Sequence, residues 1–328
     1  MTPSPASWSR RALLRLALIL PLAATPALAA QQWPDRPITV VVPSTAGGAA
    51  DFVGRTFANF IARKMPGTVV TVENRAGAGG IVGTLAVQSA APDGYTFLIS
   101  TNSTHAANVS LYKNLRYDPV KDFEQVGMFG TFGSVLVVRN DSPYPDLPAF
   151  IAHARAHPGK LSYGYYSSSS QVPPELLRAR MDLQYVGASY KSVTQILTDL
   201  IGGQLDFVFV DTLSAAPALQ NDRLRPIAVT TAQPIASLPE VAPVARTVPG
   251  FLVQGWFGLA APRGTPAPIV AKMAELVEQA GADPQVAQAL SGRGLTVQSM
   301  SGDAFVSFIH EDIERWAQWT RVAGIQAQ

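Results

Sequence analysis

The chain has 328 residues, 47% hydrophobic and 15% charged, enough to bury a sizeable core and long enough for two lobes. Cysteine is absent, which excludes disulfides, thiol catalysis, thiolate metal sites and a lipid-anchored cysteine. The 25 Lys+Arg stand against 23 Asp+Glu, but Arg10, Arg11 and Arg15 fall in an acid-free stretch, residues 1–29; the remainder carries 22 (25 less 3) against 23, so no nucleic-acid partner is expected. Those three cations form a positive N-terminal region, residues 13–22 are nearly all apolar, and Ala27 and Ala29 supply the small residues of a cleavage site. Residues 1–29 therefore read as a signal peptide cleaved near Ala29, with a periplasmic product. The SRRALLR stretch at 9–15 resembles the twin-arginine export pattern, and both export routes stay open.

Beyond the leader, residues 38–42 form a β-branched strand ending in a Ser44–Asp51 loop that contains Gly47 and Gly48. Val53, Phe57, Phe60, Ile61 and Met65 follow at helical spacing until Pro66 and Gly67 stop them. A strand over 69–73, a glycine-rich turn over 74–80, a helix through Ala90 and a strand over 95–100 complete a βαβ rhythm. The rhythm restarts with strands at 134–139, 161–163, 207–210, 225–230 and 256–261. Helices are expected at 147–157 and ending at 196–201, and two more close the chain, around 269–280 and 304–323. This alternation predicts two sheets wound with helices and a cleft at the carboxyl ends of the strands.

The glycines of the Ser44–Asp51 loop let backbone N–H groups point outward, and the following helix start adds a positive partial charge. That pairing suits a carboxylate without needing a basic side chain. Asp51 itself is expected to cap the helix. The stretch over 77–83 superficially matches a dinucleotide fingerprint, but the next strand ends in Ser100, Thr101 and Asn102 where a ribose-binding acid is required. Its glycines read as structural, and no cofactor is expected. No nucleophile elbow surrounds Ser167–Ser170. His153 and His157 have metal-compatible spacing without a third ligand, and His310 reads as a surface residue. No metal site or catalytic residue is therefore expected; His105 alone reads as a hydrogen-bond donor in a pocket loop.

Seven segments in order carry a family resemblance: WPDRPI (33–38), GGAAD (47–51), ENRAGAGG (73–80), APDGYT (91–96), YDPVKDF (117–123), DLIGGQLD (199–206) and WFGLAAP (256–262). Together the chain resembles the Bug family, the substrate-binding proteins of tripartite tricarboxylate transporters. The resemblance implies an α/β, two-lobed type II periplasmic binding fold, each lobe a mixed, mostly parallel sheet flanked by helices. Residues 30–130 plus 255–328 would form lobe 1 and 131–254 lobe 2. It implies a monomer that closes on a small carboxylate ligand and meets transporter membrane subunits transiently, with no bond made or broken. Carried over by position, the pocket draws on Ser44, Thr45, Ala46 and Gly48, on Ser103, Thr104 and His105, on Ser167, Ser168, Ser169 and Ser170, and on Asp211. Where the family usually has a Gly-rich loop ending Thr-Ser-Ser-His, this chain has a shorter serine stretch with Gln171 at the histidine's place. Tyr165 and Tyr166 replace small residues just before it. Tyr165 or Tyr166 could thus extend an aromatic lining for an aromatic or longer acid, with internal packing as the alternative. Two other uses stay open: an orphan receptor feeding a sensor kinase, and a secreted hydrolase or dehydrogenase.

Overall fold

The structure is a computed structural model that describes residues 33–328; the expected signal peptide, residues 1–29, lies outside the described residues. The order is β1 (Ile38–Val42), α1 (Ala49–Lys64), β2 (Val70–Asn74), α2 (Ile81–Gln88), β3 (Thr96–Thr101), a π-helical turn (Ser103–Ala107) running into α3 (Asn108–Leu111), and β4 (Phe123–Arg139). Then come α4 (Leu147–Ala156), β5 (Leu161–Tyr165), α5 (Ser168–Met181), β6 (Tyr185–Ser189), α6 (Val193–Ile201), β7 (Phe207–Asp211), α7 (Thr212–Ala218) and β8 (Leu224–Val229). The last elements are β9 (Gln254–Pro262), α8 (Ala267–Ala282), α9 (Pro284–Gly292), β10 (Leu295–Ser301) and α10 (Gly302–Val322).

The strands follow the order β2-β1-β3-β9-β4-β7-β5-β6, with β10 and β8 also pairing β4. β1 is parallel to β2 and β3, and β5 is parallel to β6 and β7, as βαβ crossovers require. β4 joins the two blocks. Its first part, from Phe123 to Gly133, pairs antiparallel with β9, and its second, from Ser134 to Val138, pairs antiparallel with β7. The expected strand at 134–139 is therefore only the end of a 17-residue strand. Register shifts in the β4–β9 ladder fall beside Gly127 and Gly130, so these glycines mark bulges in the strand.

One apolar core lies under the first block, with Phe57, Phe60, Phe97, Phe257 and Met273 fully or almost fully buried. A second lies under the other block, built on Phe150, Tyr163, Leu176, Phe207 and Phe209. α10 serves both ends of the molecule: Phe305 and Ile309 pack on Met128 and Trp256, while Trp316 joins the core of the second block.

No helix is among the sequence expectations at 168–181, where α5 runs with Pro173 and Pro174 inside it. The helix survives through a side chain from elsewhere. Pro173 has no N–H to give the carbonyl of Ser169, and that carbonyl accepts the buried Ser134 hydroxyl instead, at 2.7 Å. Ser134→Ala should leave the carbonyl unpaired and lower stability by about 1–2 kcal/mol in urea unfolding. A variant as stable as the parent would show that this bond carries nothing.

Candidate ligand-binding site

A cavity of about 680 Å³ opens between the two blocks, a volume ordinary for small-molecule sites. Ser44 and Thr45 reach it from the end of β1, Asn102 and Ser103 from the end of β3, Ser167 from the end of β5, and Asp211 from the end of β7. Parallel strands deliver loops and helix starts to the same edge, which is why the site forms there.

The N-termini of two long helices line the cavity from opposite sides. Ala49 and Ala50 begin α1, and Ser168 and Ser169 begin α5. N–H groups at these first positions have no carbonyl four residues back, and each helix end carries a positive partial charge. The Ser44 hydroxyl is enclosed there and has no hydrogen-bond partner among the described residues. The arrangement offers hydrogen-bond donors and a favourable field to an anion.

The loop over 44–48 is held by Asp51, though not as a cap. α1 starts at Ala49 with Gly48 at the cap position, so Asp51 lies in the first turn. Its carboxylate accepts the Gly47 N–H at 2.9 Å, the Asn74 amide at 3.0 Å and the Arg55 guanidinium at 3.0 Å. Burial alone would push the Asp51 pKa up, but the bonds from Arg55, Gly47 and Asn74 outweigh it and hold it below its usual value. Gly47 thus turns its N–H inward, and its φ of +82° is one a glycine adopts without strain. Ala46 is exposed beside it and does not line the cavity; Ser44, Thr45 and Gly48 do.

Ser103 and Thr104 line the cavity and His105 does not. The π-helical turn rotates the imidazole into the core, where it packs between Phe123 at 5.1 Å and Trp256 at 6.3 Å. Its Nδ1 meets Thr104 Oγ1 at 2.9 Å, and burial drives its pKa down to about 3, so it is neutral. In the other block Ser167, Ser168 and Ser169 line the cavity, whereas Ser170 is spent on the chain itself: its Oγ accepts the N–H groups of Tyr166 at 2.9 Å and Ser167 at 3.0 Å. Tyr165 and Tyr166 both line the cavity and also pack partly against the apolar cores.

Asp211 is the only acidic side chain among the described lining residues, and both of its oxygens are occupied. It accepts the Ser214 N–H at 2.8 Å as the cap of α7 and the Tyr166 hydroxyl on the other oxygen. Burial pushes its pKa up and, with the nearby Asp211 charge, pushes that of Tyr166 well above normal. Tyr166 therefore remains a donor to Asp211. Among the described residues no cluster of His, Asp or Glu could hold a metal ion.

Sequence reading missed several lining groups. Asn102 binds across the cleft, donating to Ser168 Oγ at 3.0 Å and Ser169 Oγ at 3.1 Å, and Ser103 Oγ lies 2.8 Å from Ser168 Oγ. Residues 76–80, read as structural, form part of the wall, and their place just after β2 was the available signal. The stacked rings of Phe132 and Phe257, 4.6 Å apart, add an apolar surface that no local pattern announces.

Two α/β blocks joined by long crossing strands, with a donor-lined cavity at the strand ends between them, define a two-lobed solute-binding protein. No helix among the described residues is long and apolar enough to cross a membrane. The family model described as the tripartite tricarboxylate transporter family receptor matches residues 53–325, and the chain belongs to that family of periplasmic binding proteins, which are receptors and not enzymes. It is 33% identical over 314 residues to the UPF0065 protein in the tcbD-tcbE intergenic region of Pseudomonas sp. strain P51, covering 94% of this chain and 92% of that protein. Among solved structures it is similar to an R. palustris protein with adipate (TM-score 0.87, 29% identity, 90% of this chain and 100% of the other). It is also similar to MatC from Rhodopseudomonas palustris with bound malate (TM-score 0.78, 31% identity, 87% and 99%).

Proposed function

We propose that this chain is exported to the periplasm, closes as a monomer on a small carboxylate-bearing solute, and presents it to the membrane subunits of a tripartite transporter. The observation that carries the reading is the pair of helix N-termini, α1 and α5, facing one cavity with N–H groups that have no carbonyl four residues back in their own helix, beside the unpartnered Ser44 hydroxyl. A carboxylate supplies acceptors to both at once, so it favours the closed arrangement of the blocks. The hinge assigned to this motion lies where β4 passes from β9 to β7, at Gly133 and Ser134, and where residues 253–254 return. With the hinge there, the described part of lobe 1 is 33–133 plus 255–328 and lobe 2 is 134–254, which moves the expected boundary at 130/131 by three residues. The ligands of the solved relatives, adipate and malate, support the carboxylate class.

The test is purification from the periplasmic fraction followed by thermal-shift screening of carboxylates, sugars and amino acids. A bound carboxylate at a hundredfold excess over Kd should add about 2.7 kcal/mol and raise the melting temperature by several degrees. A neutral sugar as the sole hit overturns the reading.

A further inference from the structure

Six of the described lining residues are aromatic: Tyr112, Phe132 and Phe257 from the first block, and Tyr165, Tyr166 and Tyr190 from the second. The four tyrosines are half-buried, packed on one side against the apolar cores and open on another to the cavity. A carboxylate group held at α1 and α5 has no use for such a surface, so the rest of the ligand must match it.

The fold itself holds these rings in place. Phe132 and Phe257 stand on the paired strands β4 and β9, stacked at 4.6 Å, and a Cβ at residue 255 would come within 2.4 Å of the Phe132 ring, so Gly255 makes its room. Tyr112 is clamped by Gln328, which lines the cavity beside it. The Gln328 N–H donates to the Leu111 carbonyl at 2.9 Å, and the Lys113 N–H donates to a Gln328 backbone oxygen at 2.9 Å. The far end of Tyr112 lies over Gly79, where a Cβ would come within 2.8 Å of the phenol oxygen. In the second block the Tyr166 hydroxyl is tied to Asp211; Tyr190 lies in the lining stretch from Ser189 to Lys191, its hydroxyl tied to Asp199 at 2.8 Å. Tyr165 ends β5, its carbonyl accepting the Tyr190 N–H at 2.8 Å and its ring 6.0 Å from that of Tyr163. Burial, and then the Tyr165 phenol, push the Tyr112 pKa up, which places these two rings near each other across the cleft.

We propose that the solute captured by this receptor is an aromatic carboxylate, its ring packed among Tyr112, Tyr165 and the Phe132–Phe257 pair. The inference rests on the carboxylate capture proposed above and names the rest of the ligand. Aromatic pairs in edge-to-face or offset-stacked geometry gain more than the area they bury, so an aromatic lining favours a flat π system over a saturated ring of the same carbon count. Because the rings are held before the ligand arrives, little side-chain order has to be gained on binding. A ring touched from both blocks also favours their closed arrangement, as the carboxylate does.

The experiment is calorimetric titration of the purified chain with two matched pairs, benzoate against cyclohexanecarboxylate and phenylacetate against cyclohexylacetate, with hexanoate and adipate as open-chain controls. The better aromatic acid should bind about fivefold to tenfold more tightly than its saturated partner, and more tightly than either open-chain acid. Tyr112→Leu and Tyr165→Leu should each remove most of that preference, whereas Tyr165→Phe, which keeps the ring, should retain it. Each variant is titrated only if it melts cooperatively without ligand, and the comparison of acids on the parent chain needs no variant. Saturated partners that bind as tightly as the aromatic acids, an open-chain acid that binds tightest, or a preference that survives both leucine variants overturns the aromatic site and leaves carboxylate capture standing. No binding of any carboxylate, here or in the thermal-shift screen, removes capture itself and the aromatic site with it.

Discussion

Asp51→Ala should weaken ligand binding by about a hundredfold while leaving the secondary structure in place, because Asp51 shapes the donor loop without lining the cavity. Its carboxylate gathers the Gly47 N–H, the Asn74 amide and the Arg55 guanidinium, and Asn74 also donates to the Ser44 carbonyl at 3.2 Å. Removing the carboxylate leaves three donors without an acceptor and frees the loop over 44–48 to sample other conformations. Losing one bond to a charged acceptor costs about 1.5–3 kcal/mol, and a loop that must be ordered on binding takes that cost out of affinity. Arg55 is half-exposed, so solvent screens its share, and the Gly47 and Asn74 bonds dominate. Calorimetry and far-UV circular dichroism on the same sample separate lost order in the loop from lost fold. Asp51→Asn retains an acceptor oxygen and should lose less affinity. An Asp51→Ala protein that binds as tightly as the parent would mean the loop is ordered by other contacts.

Legibility of this fold followed the range of the contacts involved. β1 and α1 were readable because their signals are local: a β-branched run, a glycine turn, and apolar residues at helical spacing. β4 was half lost because Gly127 and Gly130 interrupt its pattern, and the bulges they serve are defined only by β9 alongside. α5 was not expected, since the bond that compensates its prolines comes from Ser134, 35 positions earlier. At the site, strand ends led to loops that line the cavity, and Ser44, Ser103 and Ser167 are among its lining residues. Side-chain direction was not readable. His105 lies in the right segment, yet a π-helical turn aims it at Phe123 and Trp256. Ala46 and Ser170 are likewise adjacent to the cavity in sequence and turned away from it in space. Tyr112, Asn102 and Lys191 were invisible because register and the meeting of two blocks, not local pattern, place them there.

The contribution of one buried acid, Asp312, behind the wall that carries His105, to the stability of the chain should fall as pH rises from about 4 to about 7. Asp312 is 1% exposed; it accepts the Trp256 indole N–H at 2.8 Å and the Arg315 guanidinium at 2.7 Å. Burial raises its pKa from 3.8 to about 6, and the bonds from Trp256 and Arg315 recover only part of the cost of ionising it. Arg315 sits at the protein edge, 39% exposed, where water shares its charge. Between the two pKa values the native state holds a proton that the unfolded chain has released. The contribution is therefore complete below the unfolded value and lost as pH rises through the folded one. A displacement of roughly two pH units corresponds to about 3 kcal/mol. Other carboxylates shift the opposite way, Asp51 and Asp118 among them, so the total curve mixes signs. The Asp312→Asn variant isolates the group, because it keeps the shape and an acceptor oxygen but does not titrate. The unfolding free energy of the parent minus that of the variant should drop by about 3 kcal/mol between pH 4 and pH 7. A difference that stays constant with pH would mean Asp312 is ionised throughout, with Arg315 compensating its burial in full.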